Sequence, residues 1–187
     1  ASRIFCRTLF LEEHPIMTET ADTQNPGRTD ASLMTALYPE MAGKVAVVTG
    51  AARGMGAQFA RGLATRGVHV VGGDINDVQM KETAEQINTD LAVEALVETP
   101  GTMIGARVDV TDPAEHEALA QVALQEFGRI DFWINNAGIF PFALAEEISK
   151  DQIAATLDVN VEGVLFGSQA AALKTTLSAW CQSCWGL

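Results

Sequence analysis

The residues best suited to chemistry lie in a glycine-spaced turn that joins an apolar strand to a helix. The stretch is Val45-Ala46-Val47-Val48-Thr49-Gly50-Ala51-Ala52-Arg53-Gly54-Met55-Gly56. Gly50 permits a tight turn, Gly54 lets a ligand approach the backbone, and Gly56 lets the helix pack closely against the strand. Free backbone N–H groups and the positive end of the helix dipole favour an anion there. The stretch predicts a cradle for the diphosphate of a dinucleotide, with an ordinary loop as the alternative.

An acidic residue follows this turn at the distance that a dinucleotide site requires. Asp74 closes the next apolar strand, eighteen residues after Gly56. Its carboxylate can accept hydrogen bonds from the hydroxyls of the adenosine ribose and would repel a phosphate on the 2′ oxygen, which favours NAD over NADP. Arg53 favours NADP instead, because a guanidinium can bind a 2′-phosphate. The structural alternative for Asp74 is a turn or helix-cap carboxylate.

The elements that must position these residues alternate between short apolar runs and longer amphipathic stretches, which predicts an α/β fold. We expect a Rossmann-like, doubly wound parallel sheet over residues 41–173, incomplete at about four strands with flanking helices. The predicted strands are Val45 to Val48, Val68 to Val71, Met103 to Val108, and Ile130 to Asn135. The predicted helices are about Met55 to Arg66, Val78 to Val97, Pro113 to Phe127, and Ser149 to Leu173.

Several local signals refine these elements. The helix over residues 78–97 is long, which suggests a surface insertion. The stretches Asp112-Pro113-Ala114-Glu115 and Ser149-Lys150-Asp151-Gln152 each predict a capping box, and Gly128 is expected to end the helix that begins after Asp112. His69 stands alone among valines and is interpreted as a residue of the pleated strand instead of a ligand.

Charge and composition exclude several classes of function. The 187 residues include 12 basic and 24 acidic ones, for a net charge of -12, which disfavours binding to nucleic acid and to anionic membranes. The length suits one domain. No apolar run reaches the roughly 18 residues of a bilayer span, and three cysteines do not suggest a disulfide framework, so we expect a cytoplasmic protein. Residues 12–40 have few large apolar side chains, and residues 1–40 are predicted to be a disordered arm.

Four motifs occur in order along the chain: Thr49-Gly50-x-x-x-Gly54-x-Gly56, Asp109-Val110, Asn135-Asn136-Ala137-Gly138, and Asn160-Val161-x-Gly163. Together they closely resemble the short-chain dehydrogenase/reductase family, in particular its NAD-dependent subgroup, over roughly residues 44–173. The glycine spacing is unlike that of the extended nucleotide-sugar epimerases. The chemistry that this resemblance implies is hydride transfer between a nicotinamide and a secondary alcohol or ketone, a small-molecule substrate.

The resemblance also implies roles for individual residues. Asp109 and Val110 would flank the adenine, and the stretch from Asn136 to Gly138 would border the cofactor. Asn160 would help to organise a proton relay. The alternative is that Asn160 is a buried helix asparagine whose hydrogen bonds serve the packing of the fold, which is the more common case. The candidate cofactor-binding residues are thus Gly50, Arg53, Gly54, Met55, Gly56, Asp74, Asp109, Val110, Asn136, Ala137 and Gly138. Asn160 is the candidate catalytic residue, and no metal site is expected.

The catalytic set that the resemblance leads us to expect is missing. The family uses a serine, a tyrosine and a lysine after Asn160, with the lysine lowering the pKa of the tyrosine. The only tyrosine is Tyr38, which precedes the fold. Ser168, Ser178 and Ser183 do not follow a predicted strand as the family's serine does. We therefore expect this chain to be an inactive fragment. The alternative is an NAD-binding module or pseudoenzyme without catalysis.

The resemblance stops after Leu173, and residues 174–187 are interpreted as a divergent tail from a truncated or frame-shifted reading. The tail contains Trp180-Cys181-x-x-Cys184, which looks like a dithiol redox motif. A reactive dithiol needs a helix N-terminus or a cationic neighbour, and zinc needs four ligands, so both roles are weak alternatives.

The expected strand order 3-2-1-4 leaves the fourth strand at the edge of the sheet. Phe132, Trp133 and Ile134 would then lie on an unprotected margin. An apolar edge invites pairing with other chains, so the sequence predicts poor solubility or self-association, including a homo-oligomer.

Overall fold

The computed structural model describes residues 39–174. Most of the predicted arm, and the tail beyond Lys174 with its Trp180-Cys181-x-x-Cys184 motif, lie outside the described residues. The strands are β1 Val45–Thr49, β2 His69–Asp74, β3 Met103–Arg107 and β4 Phe132–Ile134. The helices are α1 Gly54–Ala64, α2 Asp77–Glu94, α3 Pro113–Phe127, α4 Lys150–Leu157 and α5 Gly163–Lys174. A π-helical turn, Asp158–Glu162, joins α4 to α5, and short 3-10 turns occupy Pro39–Met41 and Ala145–Glu147.

The four strands form one parallel sheet in the order β3-β2-β1-β4. All five residues of β1 are buried, as expected of an apolar strand that is covered on both faces. Helices α1 and α2 cover one face, and α3 covers the other. The predicted Rossmann-like, doubly wound architecture with about four strands is therefore confirmed.

Helix α2 is not the surface insertion that its length suggested. Met80, Ala84, Ile87 and Leu91 are spaced by three or four residues and are all buried against the sheet. The side-chain amide of Asn88 also bonds both the N–H and the C=O of Met103, each at 2.8 Å. The length of α2 therefore matches the crossover from β2 to β3 that it covers.

One of the two predicted capping boxes is wrong. Ser149 and Gln152 form the reciprocal pair at the start of α4. Asp112 caps α3 by accepting from the N–H of Ala114, but the Glu115 carboxylate accepts from the N–H of Asp109 instead of returning to Asp112. The guanidinium of Arg107 draws Glu115 toward this loop, at 2.6 Å. Gly128 ends α3 at a φ of 77°, as predicted.

Two predicted elements have different extents in the structure. β4 contains three residues instead of six, and the predicted helix over residues 149–173 is divided by the π-helical turn. In the part of the chain that the structure describes, β4 pairs only with β1, so its outer edge carries no strand. Phe132 is 37% exposed there, and α4 has no buried residue. None of the helices within residues 39–174 has the length and apolar character needed to cross a bilayer.

Candidate dinucleotide-binding site

The turn after β1 has the conformation that its glycines predict. Gly50 has a φ of 66° and Gly54 a φ of 59°, a region that side chains rarely adopt. A Cβ atom on Gly50 would lie 2.7 Å from the Cα of Ala137, and one on Gly56 would collide with the carbonyl of Gly50. A Cβ on Gly54 would meet nothing within 4 Å. Gly50 and Gly56 therefore permit close packing, whereas the open face of Gly54 leaves room for a ligand.

The first turn of α1 differs from the starts of the three helices that follow it. Asn76, Asp112 and Ser149 cap α2, α3 and α4 with their side chains. At the N-cap of α1, Arg53 makes no side-chain cap hydrogen bond. Backbone N–H groups in this turn therefore lack the side-chain acceptor that the other helices have, which suits an anion such as a diphosphate.

A cavity of about 380 Å³ opens over this turn at the carboxyl ends of the strands. All eleven residues that the sequence indicated as cofactor-binding line it, from Gly50 to Gly138. Four further lining residues were missed, namely Ile75, Val108, Ile139 and Val159. Three of the four directly follow or precede a predicted residue, and Val159 precedes Asn160, so adjacency in sequence was the signal that could have found them.

Asp74 lies at the end of β2 with both carboxylate oxygens held by the backbone. One oxygen accepts from the N–H of Ala52 at 3.1 Å, and the other accepts from the N–H of Asn76 at 3.0 Å. The bond from Ala52 joins the end of β2 to the turn after β1, and the bond from Asn76 lies within the loop after β2. The carboxylate is therefore fixed at the cavity wall, where each oxygen keeps further acceptor capacity.

The loop after β3 supplies a further part of the cavity wall through Asp109 and Val110. The Asp109 carboxylate accepts from the hydroxyl and the N–H of Thr111, at 2.7 and 3.0 Å, and these bonds hold the pKa of Asp109 below its usual value. Arg107, followed by the N–H of Asp109, likewise lowers the pKa of Glu115. Asp109 in the loop and Glu115 in α3 thus stay ionised while they accept hydrogen bonds from the backbone of the loop.

Asn136 ties the loop after β4 to the glycine turn. Its side-chain amide donates to the carbonyl oxygens of Thr49 and Gly50, at 3.0 and 3.1 Å. The Thr49 hydroxyl in turn accepts from the N–H groups of Asn136 and Ala137, each at 3.1 Å. Thr49 was not among the predicted site residues, although it begins the first motif. Only the packed structure brings it to this loop.

Asn160 lies in the π-helical turn and does not line the cavity. Its Oδ1 accepts from the N–H of Ile139 at 2.9 Å, and its Nδ2 donates to the C=O of Ile139 at 2.8 Å. Both polar atoms of the side chain are therefore engaged by the backbone beside Gly138. This geometry makes Asn160 a residue that positions Ile139 at the cavity wall, and π-helical turns are common at functional sites.

The sequence profile of the short chain dehydrogenase family matches residues 44–177. The chain belongs to this family. Its resemblance to the family, inferred from four motifs, is thereby confirmed, as is membership of a family of oxidoreductases.

Individual relatives agree with this assignment. An uncharacterized oxidoreductase of Methylorubrum extorquens is 40% identical over 132 residues, which are 71% of this chain and 50% of that protein. A short chain dehydrogenase/reductase of Burkholderia phymatum in complex with NAD has a TM-score of 0.64 at 34% identity, over 73% of this chain and 45% of that one. An alcohol dehydrogenase of the archaeon Thermococcus sibiricus complexed with 5-hydroxy-NADP has a TM-score of 0.59 at 29% identity, over 68% and 51%. The chain spans about half the length of these relatives.

Ser168 and His69, which were not predicted as site residues, do not line the cavity. Ser168 lies in α5, where its hydroxyl donates to the C=O of Val164 at 2.7 Å and accepts from Asn135. His69 stacks on Phe127 at 4.7 Å, at the opposite end of β2 from Asp74. Tyr38, Ser178 and Ser183 lie outside the described residues.

Proposed function

We propose that this chain binds NAD and forms the cofactor-binding part of an oxidoreductase acting on a secondary alcohol or a ketone. The observation that carries the proposal is the uncapped first turn of α1 beside Gly54, within a cavity that also contains Asp74 and Asp109. An anionic dinucleotide matches this combination of free donors and flanking carboxylates. NAD, when bound, supplies the group that accepts or returns a hydride.

Different parts of the cavity wall would contact different parts of the cofactor. The glycine turn and α1 would bind the diphosphate, and Asp74 would accept from the adenosine ribose. Asp109 and Val110 would flank the adenine, while Asn136, Ala137 and Gly138 would border the remaining part. Arg53 and Met55 are both exposed at the rim of the turn.

NAD is preferred over NADP in this proposal because of the charge at the ribose end. The Asp74 carboxylate is held in place by two N–H groups, so it would lie close to a 2′-phosphate and repel it. Arg53 is the competing feature, since it is exposed and has no ion-pair partner within residues 39–174. The fixed carboxylate favours NAD because it can accept hydrogen bonds from the ribose hydroxyls. In NADP a phosphate takes the place of the 2′-hydroxyl, so that hydrogen bond is lost.

This chain by itself is proposed to bind the cofactor without turnover. The family's acid/base is a tyrosine, and Tyr38 is the only tyrosine of the sequence. Asn160 is proposed as a positioning residue for the reacting end through Ile139. An NAD-binding module without catalysis is the second candidate, favoured by the same missing tyrosine. The low number of cysteines, three in the sequence, supports the proposed cytoplasmic location. The net charge of -12 supports the proposal that the chain has no nucleic-acid or membrane partner.

Two glycines provide a matched test of cofactor binding. Gly43 and Gly54 both have a left-handed φ, and a Cβ on either would meet nothing within 4 Å, but only Gly54 lines the cavity. Gly43→Ala and Gly54→Ala should each destabilise the fold by about 1 kcal/mol. We expect Gly54→Ala alone to weaken NADH binding about ten-fold in a fluorescence titration.

The same titration separates the candidate functions. Wild-type protein should bind NADH more tightly than NADPH and show no alcohol oxidation with NAD. Absence of binding to both nucleotides in folded protein would overturn the proposal. Measurable turnover would retain the cofactor site and reject the claim that this chain is inactive.

A further inference from the structure

His116 is the most deeply buried ionisable side chain near the cavity that the proposed function does not use. It is 0% exposed and belongs to the first turns of α3. Its Nε2 lies 2.9 Å from the carbonyl oxygen of Val110, which lines the cavity. A carbonyl can only accept, so Nε2 must carry the proton and donate it to Val110.

Val110 is held on two sides by this arrangement. A Cβ on Gly163 would lie 3.1 Å from both the Cγ2 and the carbonyl oxygen of Val110, so α5 approaches as closely as a glycine allows. The His116 ring contacts Phe166 of α5 and Trp133 of β4, with ring centroids 6.5 and 6.1 Å away. His116 thus fills the space between the loop after β3, the edge strand and the helix that follows Asn160.

The neighbouring residue holds the other end of the same dipeptide. The Glu115 carboxylate accepts from the N–H of Asp109 at 2.5 Å. Two consecutive residues of α3 therefore fix the N–H of Asp109 and the C=O of Val110. The Glu115 contact is exposed in part, whereas the Val110 contact is made by a fully buried ring.

We propose that His116 is a positioning residue for the adenine wall of the cofactor site, acting through its Nε2–H bond to the Val110 carbonyl. This inference rests on the proposed function for the identity of the ligand. The geometry of the loop after β3 is independent of the proposed function. When the partly buried Val110 carbonyl loses its donor, it moves or recruits water, and in either case the wall formed by Asp109 and Val110 shifts.

Three variants of His116 separate the hydrogen bond from packing. Leucine fills similar volume without a donor, glutamine places an amide near the position of Nε2, and asparagine carries the same amide one methylene short. We expect His116→Leu and His116→Asn to weaken NADH binding about five-fold, and His116→Gln to stay within about two-fold of wild type. Ala123→Gly, a change at a fully buried position about two turns after His116 in α3, should lower thermal stability while leaving the affinity unchanged.

Hydrogen exchange of the unliganded protein gives a readout that needs no cofactor. Amides of residues 108–112 should exchange about ten-fold faster in His116→Leu and His116→Asn, but not in His116→Gln or Ala123→Gly. Unchanged affinity and exchange in both His116→Leu and His116→Asn would overturn the inference, and so would equal losses in His116→Gln. If His116→Leu does not fold, the asparagine and glutamine pair decides. Wild-type protein that binds neither nucleotide would instead refute the proposed function, and the exchange experiment would still test His116.

Discussion

The side-chain amide of Asn136 donates to the carbonyl oxygen of Gly50 at 3.1 Å, and so joins the loop after β4 to the turn after β1. The two residues are 86 positions apart in the sequence. The same amide also donates to the C=O of Thr49. The shape of the proposed diphosphate cradle therefore depends on a residue from the edge side of the sheet.

Removing this amide should affect both stability and binding. Asn136→Ala leaves two carbonyl oxygens without their donor, so we expect the free energy of unfolding to fall by about 1–3 kcal/mol. Asn88→Ala is the control, because Asn88 likewise makes two backbone bonds, to Met103, but lies away from the cavity. Urea denaturation should show similar losses for both variants, whereas NADH binding should weaken about ten-fold only in Asn136→Ala. Equal affinities for the two variants would contradict this role of Asn136.

Asp74→Ala should change the preference between the two nicotinamide nucleotides. Without the carboxylate, a 2′-phosphate loses its repulsive neighbour while the ribose hydroxyls lose an acceptor. We expect the ratio of the dissociation constants for NADPH and NADH to fall about ten-fold in a fluorescence titration. Asp77→Ala removes the same charge three residues later, where the carboxylate pairs with Lys81, and should leave the ratio unchanged. Unchanged selectivity in Asp74→Ala would remove the assignment of the ribose site to Asp74.

Asp131 should make stability depend on acid pH. Burial raises the pKa of Asp131, but hydrogen bonds from Arg129, the N–H of Val45 and Lys44 outweigh burial and hold that pKa below its usual value. The unfolded chain then binds more protons than the folded one between the two pKa values, so stability rises with pH in that window. This contribution is complete above the unfolded pKa and is lost as the pH falls through the folded value.

Asp131→Asn tests this linkage. We expect the free energy of unfolding at pH 7 to fall by about 1–3 kcal/mol, and the difference from wild type to shrink below about pH 4. Glu82→Gln is the control, since Glu82 is exposed and has no ion-pair partner among the described residues. Urea denaturation over an acid pH series measures both effects. A difference that stays constant with pH would refute the titration of Asp131 as the cause.

The outer edge of β4 should promote self-association. Phe132 is partly exposed on this edge, where no strand pairs with β4 within residues 39–174. Phe132→Lys should reduce association, because a charged residue on an edge strand disfavours pairing with another chain. Val93→Lys, at a 90% exposed position on α2, is the control. Sedimentation velocity at several concentrations should show association for wild type and Val93→Lys, and less for Phe132→Lys; a monomeric wild type would contradict the prediction.

Much of the fold was predictable because its signals are local. The apolar run of β1, the left-handed Gly50 and Gly54, and the reciprocal pair of Ser149 and Gln152 each depend on neighbours within a few residues. The same reasoning misjudged α2 as an insertion, because length alone does not tell which surface a helix covers. It also placed Glu115 in a capping box, because Arg107 approaches it only after β3 and α3 have packed.

The sequence by itself determined the order of strands and helices along the chain, because hydrophobic periodicity is a property of short stretches. It also indicated eleven of the fifteen residues that line the cavity, in part through the resemblance to the family. Tertiary structure alone decided which distant groups hold those residues in place. Asn136 meets Thr49 and Gly50, Asn160 meets Ile139, and His116 meets Val110 and Phe166 only when the strands are in register and the helices lie on the sheet. Such contacts arise because buried polar groups must find partners in three dimensions, and no spacing along the chain specifies which partner that will be.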